Sequence, residues 1–176
     1  LFKPKPMVKA SHEHRTPPAA PLVVEGRIWL IPKDNIDTDM IFHNRHLTIT
    51  DMREMGQYTF GNLPGLEHFS KTAQPGDIIV TGKNFGAGSS RQQAVDCFKS
   101  LRIGLLIARS FGSIYFRNAV NAGFPVMTAD LLESGLKDGE HIRVSLATGE
   151  IELLATGVKV QGRPFPPVQL DIYRKG

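Results

Sequence analysis

The side chains best suited to chemistry lie in residues 82–91 of this 176-residue chain, which run GKNFGAGSSR. The glycines permit backbone conformations and close approaches that a Cβ would block. Ser89, Ser90 and Arg91 follow at the expected start of a helix, where free N–H groups favour an anion. A carboxylate or phosphate bound there would meet backbone, hydroxyl and guanidinium donors together. The alternative is a plain glycine turn, with a serine as helix cap and the arginine in solvent.

Apolar patterns on either side of this loop predict the elements that hold it. Residues 77–80 carry the apolar run of a short buried strand. After the loop, apolar side chains recur at spacings of three and four, which predicts a helix with one buried face. The residues on that face are Ala94, Cys97, Phe98 and Leu101. Cys97, the single cysteine of the chain, is therefore expected in the core.

The rest of the chain predicts an α/β layer followed by antiparallel strands. A second helix is expected from Ser110 to near Gly123, and alternating strands and helices favour parallel pairing. The C-terminal part alternates polar and apolar residues instead, which is typical of antiparallel β structure. The remaining predicted strands are residues 26–31, 104–108 and 124–127, then 142–146, 151–153 and 158–160.

Composition separates a short arm from one domain. Residues 1–24 are rich in proline and lack periodicity, so they are predicted to form a flexible basic arm or linker, and residues 25–176 one domain. The arm holds +3 of the net charge of +4, and the body lacks an interleaved basic and aromatic face. We therefore expect no nucleic-acid partner. No apolar run approaches the roughly 20 residues that cross a bilayer, so we expect no membrane partner.

Three motifs resemble one known family. The loop at residues 82–91 is similar to the active-site loop of the swivel domain of the aconitase superfamily. It is most similar to that of the family of free-standing small subunits of 3-isopropylmalate dehydratase. Residues 37–41 resemble the family's D-T-D-x-I element, and residues 110–125 its later Ser-Phe and Asn-x-Gly-x-Pro pattern. The resemblance covers roughly residues 26–170. It implies a three-layer β/β/α swivel domain with a mainly parallel sheet and an antiparallel C-terminal β part.

The resemblance also implies an activity and a partner. The family's hydro-lyases interconvert 2-isopropylmalate and 3-isopropylmalate by dehydration and rehydration, a step of leucine biosynthesis in the cytoplasm. Their large subunit carries a 4Fe–4S cluster, and this chain is expected to bind no cofactor alone, because one cysteine falls short of the roughly four that such a cluster takes. The implied assembly is a heterodimer with that subunit, and the isolated chain could form a homo-oligomer.

Individual roles follow by similarity. Ser89 matches the family's catalytic base, and Ser90 and Arg91 match its substrate-binding residues. Asp39, the second aspartate of the D-T-D element, is placed at the active site, although residues 34–41 alone predict an Asx-rich turn, with a metal site as the weaker alternative. The loop that follows, with Arg45 and Leu47, covers the variable group of the substrate. No metal ligand is predicted in this chain.

The sequence leaves alternatives open for the substrate and for the functional class of the protein. Many family members continue the loop as Arg-Glu-His-Ala, whereas this chain has Gln92 and Gln93. Leu47 suits an isopropyl group, but Arg45 could pair with an extra carboxylate, which would indicate a small subunit of homoaconitase or of another alkylmalate dehydratase. A distant alternative is an anion-binding or RNA-binding module that uses the loop and the basic arm.

Overall fold

The computed structural model describes residues 19–176. Its seven strands form one sheet, and the long first strand lies in the middle of that sheet. The strands are β1 (Val23–Ile31), β2 (Ile78–Thr81), β3 (Leu105–Ala108), β4 (Val126–Thr128), β5 (His141–Ser145), β6 (Glu150–Leu153) and β7 (Lys159–Gln161). The first half of β1 pairs antiparallel with β5, and its second half pairs parallel with β2. The order across the sheet is β4-β3-β2-β1-β5-β6-β7, parallel from β4 to β1 and antiparallel from β1 to β7.

Helices lie mainly in the connections of the parallel part. Two one-turn 3-10 helices, Asn44–His46 and Gly56–Tyr58, join the short helices before β2. The α-helices are α1 (Thr38–Ile41), α2 (Met52–Met55), α3 (Phe69–Thr72), α4 (Gln93–Ser100), α5 (Ser113–Asn121) and α6 (Pro167–Lys175). No helix of the described residues is long and apolar enough to cross a membrane.

Two cores lie on opposite faces of the parallel strands. Ile79 and Leu106 join the core that contains the buried faces of α4 and α5. Their neighbours Ile78 and Leu105 point to the other face and join a core that contains Ile142 and other side chains of β5 and β6. Strands buried on both faces have continuous apolar sequences, as β2 and β3 do. The result is the predicted three-layer β/β/α arrangement with a parallel and an antiparallel part, so the predicted fold class is confirmed.

The structure differs from the sequence prediction at both ends. β1 begins at Val23, earlier than predicted, because residues 23–27 pair with β5. Most of the predicted arm, residues 1–18, lies outside the described residues. Helix α6 was not predicted, although it begins with proline in its first turn, a favoured helix start. The D-T-D element forms the short helix α1 rather than a simple turn, because Asp37 caps it by accepting the N–H of Met40 at 2.8 Å.

Candidate active site

Three chain segments meet at the carboxyl ends of β1, β2 and β3, and backbone hydrogen bonds join them. The loop between β2 and α4 receives the N–H of Thr38 on the carbonyl of Ala87, at 2.9 Å. The same loop accepts the N–H of Gly112 on the carbonyl of Phe85, at 2.8 Å. These hydrogen bonds therefore hold the D-T-D segment, the glycine loop and the start of α5 next to one another, although the three are far apart in sequence.

Gly86 fixes the path of the loop. Its φ of +79° lies in the left-handed region, and a Cβ there would overlap the ring of Tyr115. Tyr115 is buried, and its hydroxyl donates to the carbonyl of Ala94 in α4 at 2.8 Å. Burial raises the pKa of Tyr115 well above its usual value, so this group stays a donor. Tyr115 of α5 thus connects the loop and α4, through its contact with Gly86 and its hydrogen bond to Ala94.

Ser89 and Ser90 are both exposed, but their hydroxyls differ. Ser90 Oγ accepts a hydrogen bond from Nδ2 of Asn118 at 3.0 Å. Ser89 is held by its carbonyl, which accepts from Oγ1 of Thr38 at 2.9 Å, and its own Oγ has no hydrogen-bond partner within residues 19–176. The N–H groups of residues 88–92 likewise have no acceptor there. Because α4 begins only at Gln93, the free hydroxyl and the free N–H donors belong to the loop before the helix rather than to its predicted first turn, and such a loop can still bind an anion.

Arg91 and Asp39, both predicted to bind substrate, pair with each other. Nη1 of Arg91 donates to Oδ1 of Asp39 at 2.8 Å and to the carbonyl of Phe42 at 3.0 Å. Oδ1 also accepts the N–H of Asn44 at 3.0 Å, and Oδ2 accepts Nδ2 of Asn62 at 3.1 Å. The hydrogen bond from Arg91 is the main cause of a lowered pKa at Asp39. Asp39 is therefore ionised at neutral pH and orients the guanidinium.

The segment with Arg45 and Leu47 lies beside this pair. Nε of Arg45 donates to Nε2 of His46 at 3.2 Å, and the His46 ring stacks on Tyr58 with centroids 3.9 Å apart. Burial is the main cause of a lowered pKa at His46, which favours the neutral ring that can accept this bond. Leu47 is 37% exposed, and its carbonyl accepts from Nε2 of Gln93 at 3.3 Å. One of the two glutamines that depart from the family pattern thus connects this segment to α4.

Several site residues were not predicted from sequence. Asn62 lies in a stretch without periodicity, so nothing indicated that it would reach Asp39. Thr38 lies within the D-T-D element, but its contact with the Ser89 carbonyl depends on tertiary structure. Asn118 belongs to the third motif, for which no site residue was predicted, and it contacts Ser90. Asn121, in the same motif, lines a separate groove.

Asp39 pairs with Arg91, and two other aspartates near the loop accept backbone N–H groups. Asp34 accepts the N–H of Lys83 at 2.7 Å through Oδ1, and Asp37 caps α1. Within residues 19–176, no group of three or more His, Cys, Asp or Glu side chains could hold a metal ion. Cys97 is fully buried as predicted, and burial raises the pKa of its thiol to about 12. A thiol that stays protonated is a poor metal ligand.

Comparison with known proteins gives consistent relatives. Residues 54–130 match the family model of the aconitase C-terminal domain. The isopropylmalate/citramalate isomerase small subunit of Methanocaldococcus jannaschii is 38% identical over 155 residues, which are 88% of this chain and 90% of that protein. The 3-isopropylmalate dehydratase small subunit of Aquifex aeolicus is 40% identical over 151 residues, 86% and 89% of the two chains. The methanogen homoaconitase small subunit of Methanothermobacter thermautotrophicus is 37% identical over 155 residues, 88% and 87%.

A solved structure extends this likeness to the fold. The crystal structure of 3-isopropylmalate dehydratase from Methanocaldococcus jannaschii superposes with a TM-score of 0.78 at 32% sequence identity. The match covers 86% of this chain and 87% of that one, so it includes both the parallel and the antiparallel parts of the sheet. The chain therefore belongs to the family of 3-isopropylmalate dehydratase small subunits in the aconitase superfamily.

Proposed function

We propose that this chain is the small subunit of a hydro-lyase that interconverts 2-isopropylmalate and 3-isopropylmalate by dehydration and rehydration. The observation that carries the proposal is the free hydroxyl of Ser89 beside the Arg91–Asp39 pair, in a chain related along most of its length to such subunits. The reaction needs a base, a clamp for carboxylates and a Lewis acid for the leaving hydroxide. This chain supplies the first two.

Ser89 is proposed as the base that removes the proton from the carbon next to the leaving hydroxyl. A serine hydroxyl is a weak base in water, so its alkoxide needs stabilisation by fixed donors. The free N–H groups of residues 88–92 and the guanidinium of Arg91 are such donors. Isomerisation would be completed when hydroxide adds to the carbon that lost its proton and Ser89 returns that proton to the neighbouring carbon that lost its hydroxyl.

Arg91 is proposed to bind a substrate carboxylate with the part of its guanidinium that the protein leaves free. Nη1 is occupied by Asp39 and Phe42, whereas Nε and Nη2 have no hydrogen-bond partner within residues 19–176. Two parallel donors match the two oxygens of a carboxylate. Ser90 would add a hydroxyl donor to the same anion, with its oxygen held by Asn118.

The Lewis acid is proposed to be a 4Fe–4S cluster on the large subunit, where it would take the hydroxide that leaves the substrate. The side chains present here do not fit a cluster, since Cys97 is buried and protonated. The glycine loop, with its exposed serines, would face the large subunit across the substrate. We also propose that this heterodimer forms in the cytoplasm and that its reaction is a step of leucine biosynthesis.

The test is reconstitution with the cognate large subunit under anaerobic conditions, followed by turnover of 2-isopropylmalate. The isolated chain should be inactive and colourless, and the complex active. Ser89→Ala should lower kcat at least about a hundredfold, as loss of a general base does, with little change in complex formation. Ser90→Ala should act more on KM than on kcat. Retention of more than about a tenth of kcat by Ser89→Ala would rule out the assigned base.

A second candidate substrate has specific support. Relatives of similar identity include a homoaconitase small subunit and an isopropylmalate/citramalate isomerase small subunit. Arg45 is exposed near the site and could pair with an additional carboxylate. Initial rates of the reconstituted enzyme with isopropylmalate, citramalate and homoaconitate separate these substrates directly.

A further inference from the structure

A second positively charged feature lies beside the candidate active site, and the mechanism above does not use it. A groove of about 680 Å³ opens where β3 and β4 end, between α5 and the segment after β7. We call it the arginine groove, and define it by Arg109, Phe111, Phe116, Arg117, Val120 and Arg163. Among the described residues that line it, none is acidic.

The charges of this groove are only partly balanced. Arg109 donates to Asp130 at 2.7 Å and lies 3.4 Å from Glu133, so its charge is neutralised inside the protein. Arg117 and Arg163 are exposed and have no acidic partner within residues 19–176. Two free guanidinium groups from different parts of the chain thus flank one groove, which favours a carboxylate-bearing occupant.

The floor of the groove is apolar. Phe111 and Phe116 contact each other with ring centroids 5.4 Å apart, and both remain partly exposed. Val120, one turn further along α5, is also only partly buried. An apolar floor with arginines at its edges has the composition of a protein-protein interface, in which aromatic residues and arginine are enriched.

The arginine groove is continuous with the catalytic loop. Ser113 lines both the groove and a smaller cavity of about 270 Å³ that is formed by Gly86, Gly88 and Ile114. Ile114 is 49% exposed, a large apolar side chain in solvent at the first turn of α5. Any partner that covers the glycine loop would therefore extend over Ile114 toward Arg117 and Arg163.

We infer that this surface, from Ile114 to the arginine groove, docks an acidic segment of the large subunit with an apolar side chain at its centre. The inference rests on the proposed function, because that function requires a partner over the glycine loop. Arg117 and Arg163 would steer and orient the partner, and Ile114 with the aromatic floor would hold it. The surface is distinct from the catalytic residues, so its loss should weaken assembly and leave chemistry intact once the complex is formed.

The test measures association of the large subunit with the full chain by surface-immobilised kinetics at low and physiological salt. The double variant Arg117→Glu/Arg163→Glu should lower the association rate at least about tenfold and flatten its salt dependence. Its matched control, Lys71→Glu/Arg174→Glu, makes the same change in net charge near the amino ends of the parallel strands and should bind as wild type. Thermal unfolding of both variants shows whether each is folded.

A second variant tests the apolar contact independently. Ile114→Ser should speed dissociation several-fold, whereas Val158→Ser, at a similarly exposed valine before β7, should not. At saturating large subunit, Arg117→Glu/Arg163→Glu should recover the wild-type kcat. Unchanged association of this double variant would overturn the docking surface, while active wild-type complex would still support the proposed function. Failure of the wild-type chain to bind the large subunit would overturn both.

Titration of the isolated chain with inorganic phosphate and with 2-isopropylmalate, followed by NMR, tests a small-molecule occupant. Saturable shifts confined to the arginine groove at micromolar concentrations, abolished by Arg117→Glu/Arg163→Glu, would assign the groove to a free anion and contradict docking. We expect only weak, unsaturated shifts there, because both free arginines lie at the open edge of the groove.

Discussion

Arg91 makes both of its hydrogen bonds within the described protein through one nitrogen, Nη1. Its side chain is only 13% exposed, and Asp39 beside it is 39% exposed. An arginine this restricted has lost most of its conformational freedom before substrate arrives, so less entropy is lost on binding. Under the proposed function, the pair would prepare the guanidinium for a substrate carboxylate, and Asp39 would act by positioning it.

Replacement of Arg91 by lysine should raise KM at least about tenfold. A single ammonium group cannot donate to Asp39, to the Phe42 carbonyl and in parallel to a substrate carboxylate, and hydrogen bonds to charged groups contribute about 1.5–3 kcal/mol each. Steady-state kinetics of the reconstituted enzyme provide the measurement. Arg53→Lys is the control, because Arg53 pairs with Asp51 at the surface. Wild-type KM in Arg91→Lys would exclude a bidentate role.

The Asp39–Arg91 pair should also affect stability in a pH-dependent way. Because the pKa of Asp39 is lower in the folded protein than in the unfolded chain, its ionised form stabilises the fold above the unfolded value, near 4. That contribution is lost as pH falls through the folded pKa. Urea denaturation should therefore find Asp39→Asn less stable than wild type at pH 6, with the difference shrinking below about pH 4. A constant difference down to pH 2 would contradict this linkage.

At the scale of elements, Gly86 controls how the catalytic loop packs on α5. Gly86→Ala should lower the free energy of unfolding by at least about 2 kcal/mol, because it combines a strained left-handed conformation with overlap of a buried ring. Gly65→Ala is the matched control, since Gly65 has a similar φ of +86° but open space around its Cα. It should cost only about 1 kcal/mol. Equal losses in the two variants would show that Tyr115 moves aside freely.

Elements with strong local patterns were predictable from the sequence, and contacts between them were not. The buried face of α4 appeared as Ala94, Cys97 and Phe98 because helical periodicity is a local property. The bond from Gln93 to the Leu47 carbonyl joins residues 46 positions apart, and no periodic pattern encodes it. Helix α6 was missed because its exposed Val168 and its buried Gln169 obscure an apolar stripe. Gln169 is buried because its amide donates to the carbonyl of Val126 at 3.0 Å.

At the scale of the whole molecule, the motifs predicted which residues approach one another, but they did not predict the pairing. Two of the three motifs, far apart in sequence, were expected at the site, and the carboxyl ends of β1, β2 and β3 bring all three together. Asp39 and Arg91 were both expected to contact substrate, but in the structure their ion pair joins α1 to the loop before α4. The tertiary structure thus determines which polar groups of the candidate residues are paired within the protein and which are free.

Substrate choice is proposed to depend on the segment with Arg45 and Leu47. Nε of Arg45 donates to the neutral His46 ring, which stacks on Tyr58, while Leu47 stays partly exposed. In this proposal the bond keeps the guanidinium to one side and leaves the apolar side chain to contact the variable group of the substrate. The isopropyl substrate would then be favoured over one with an additional carboxylate.

Leu47→Ala should therefore weaken turnover of isopropylmalate selectively and lower its kcat/KM about 10–200-fold, which corresponds to the loss of about 1–3 kcal/mol of apolar contact. Citramalate has a smaller apolar group, so its kcat/KM should fall less in the same variant. Arg45→Leu should leave the isopropylmalate rate within a few-fold of wild type. The assignment fails if the reconstituted wild type turns over homoaconitate faster than isopropylmalate and Arg45→Leu reverses that order, because Arg45 would then be the residue that selects the substrate.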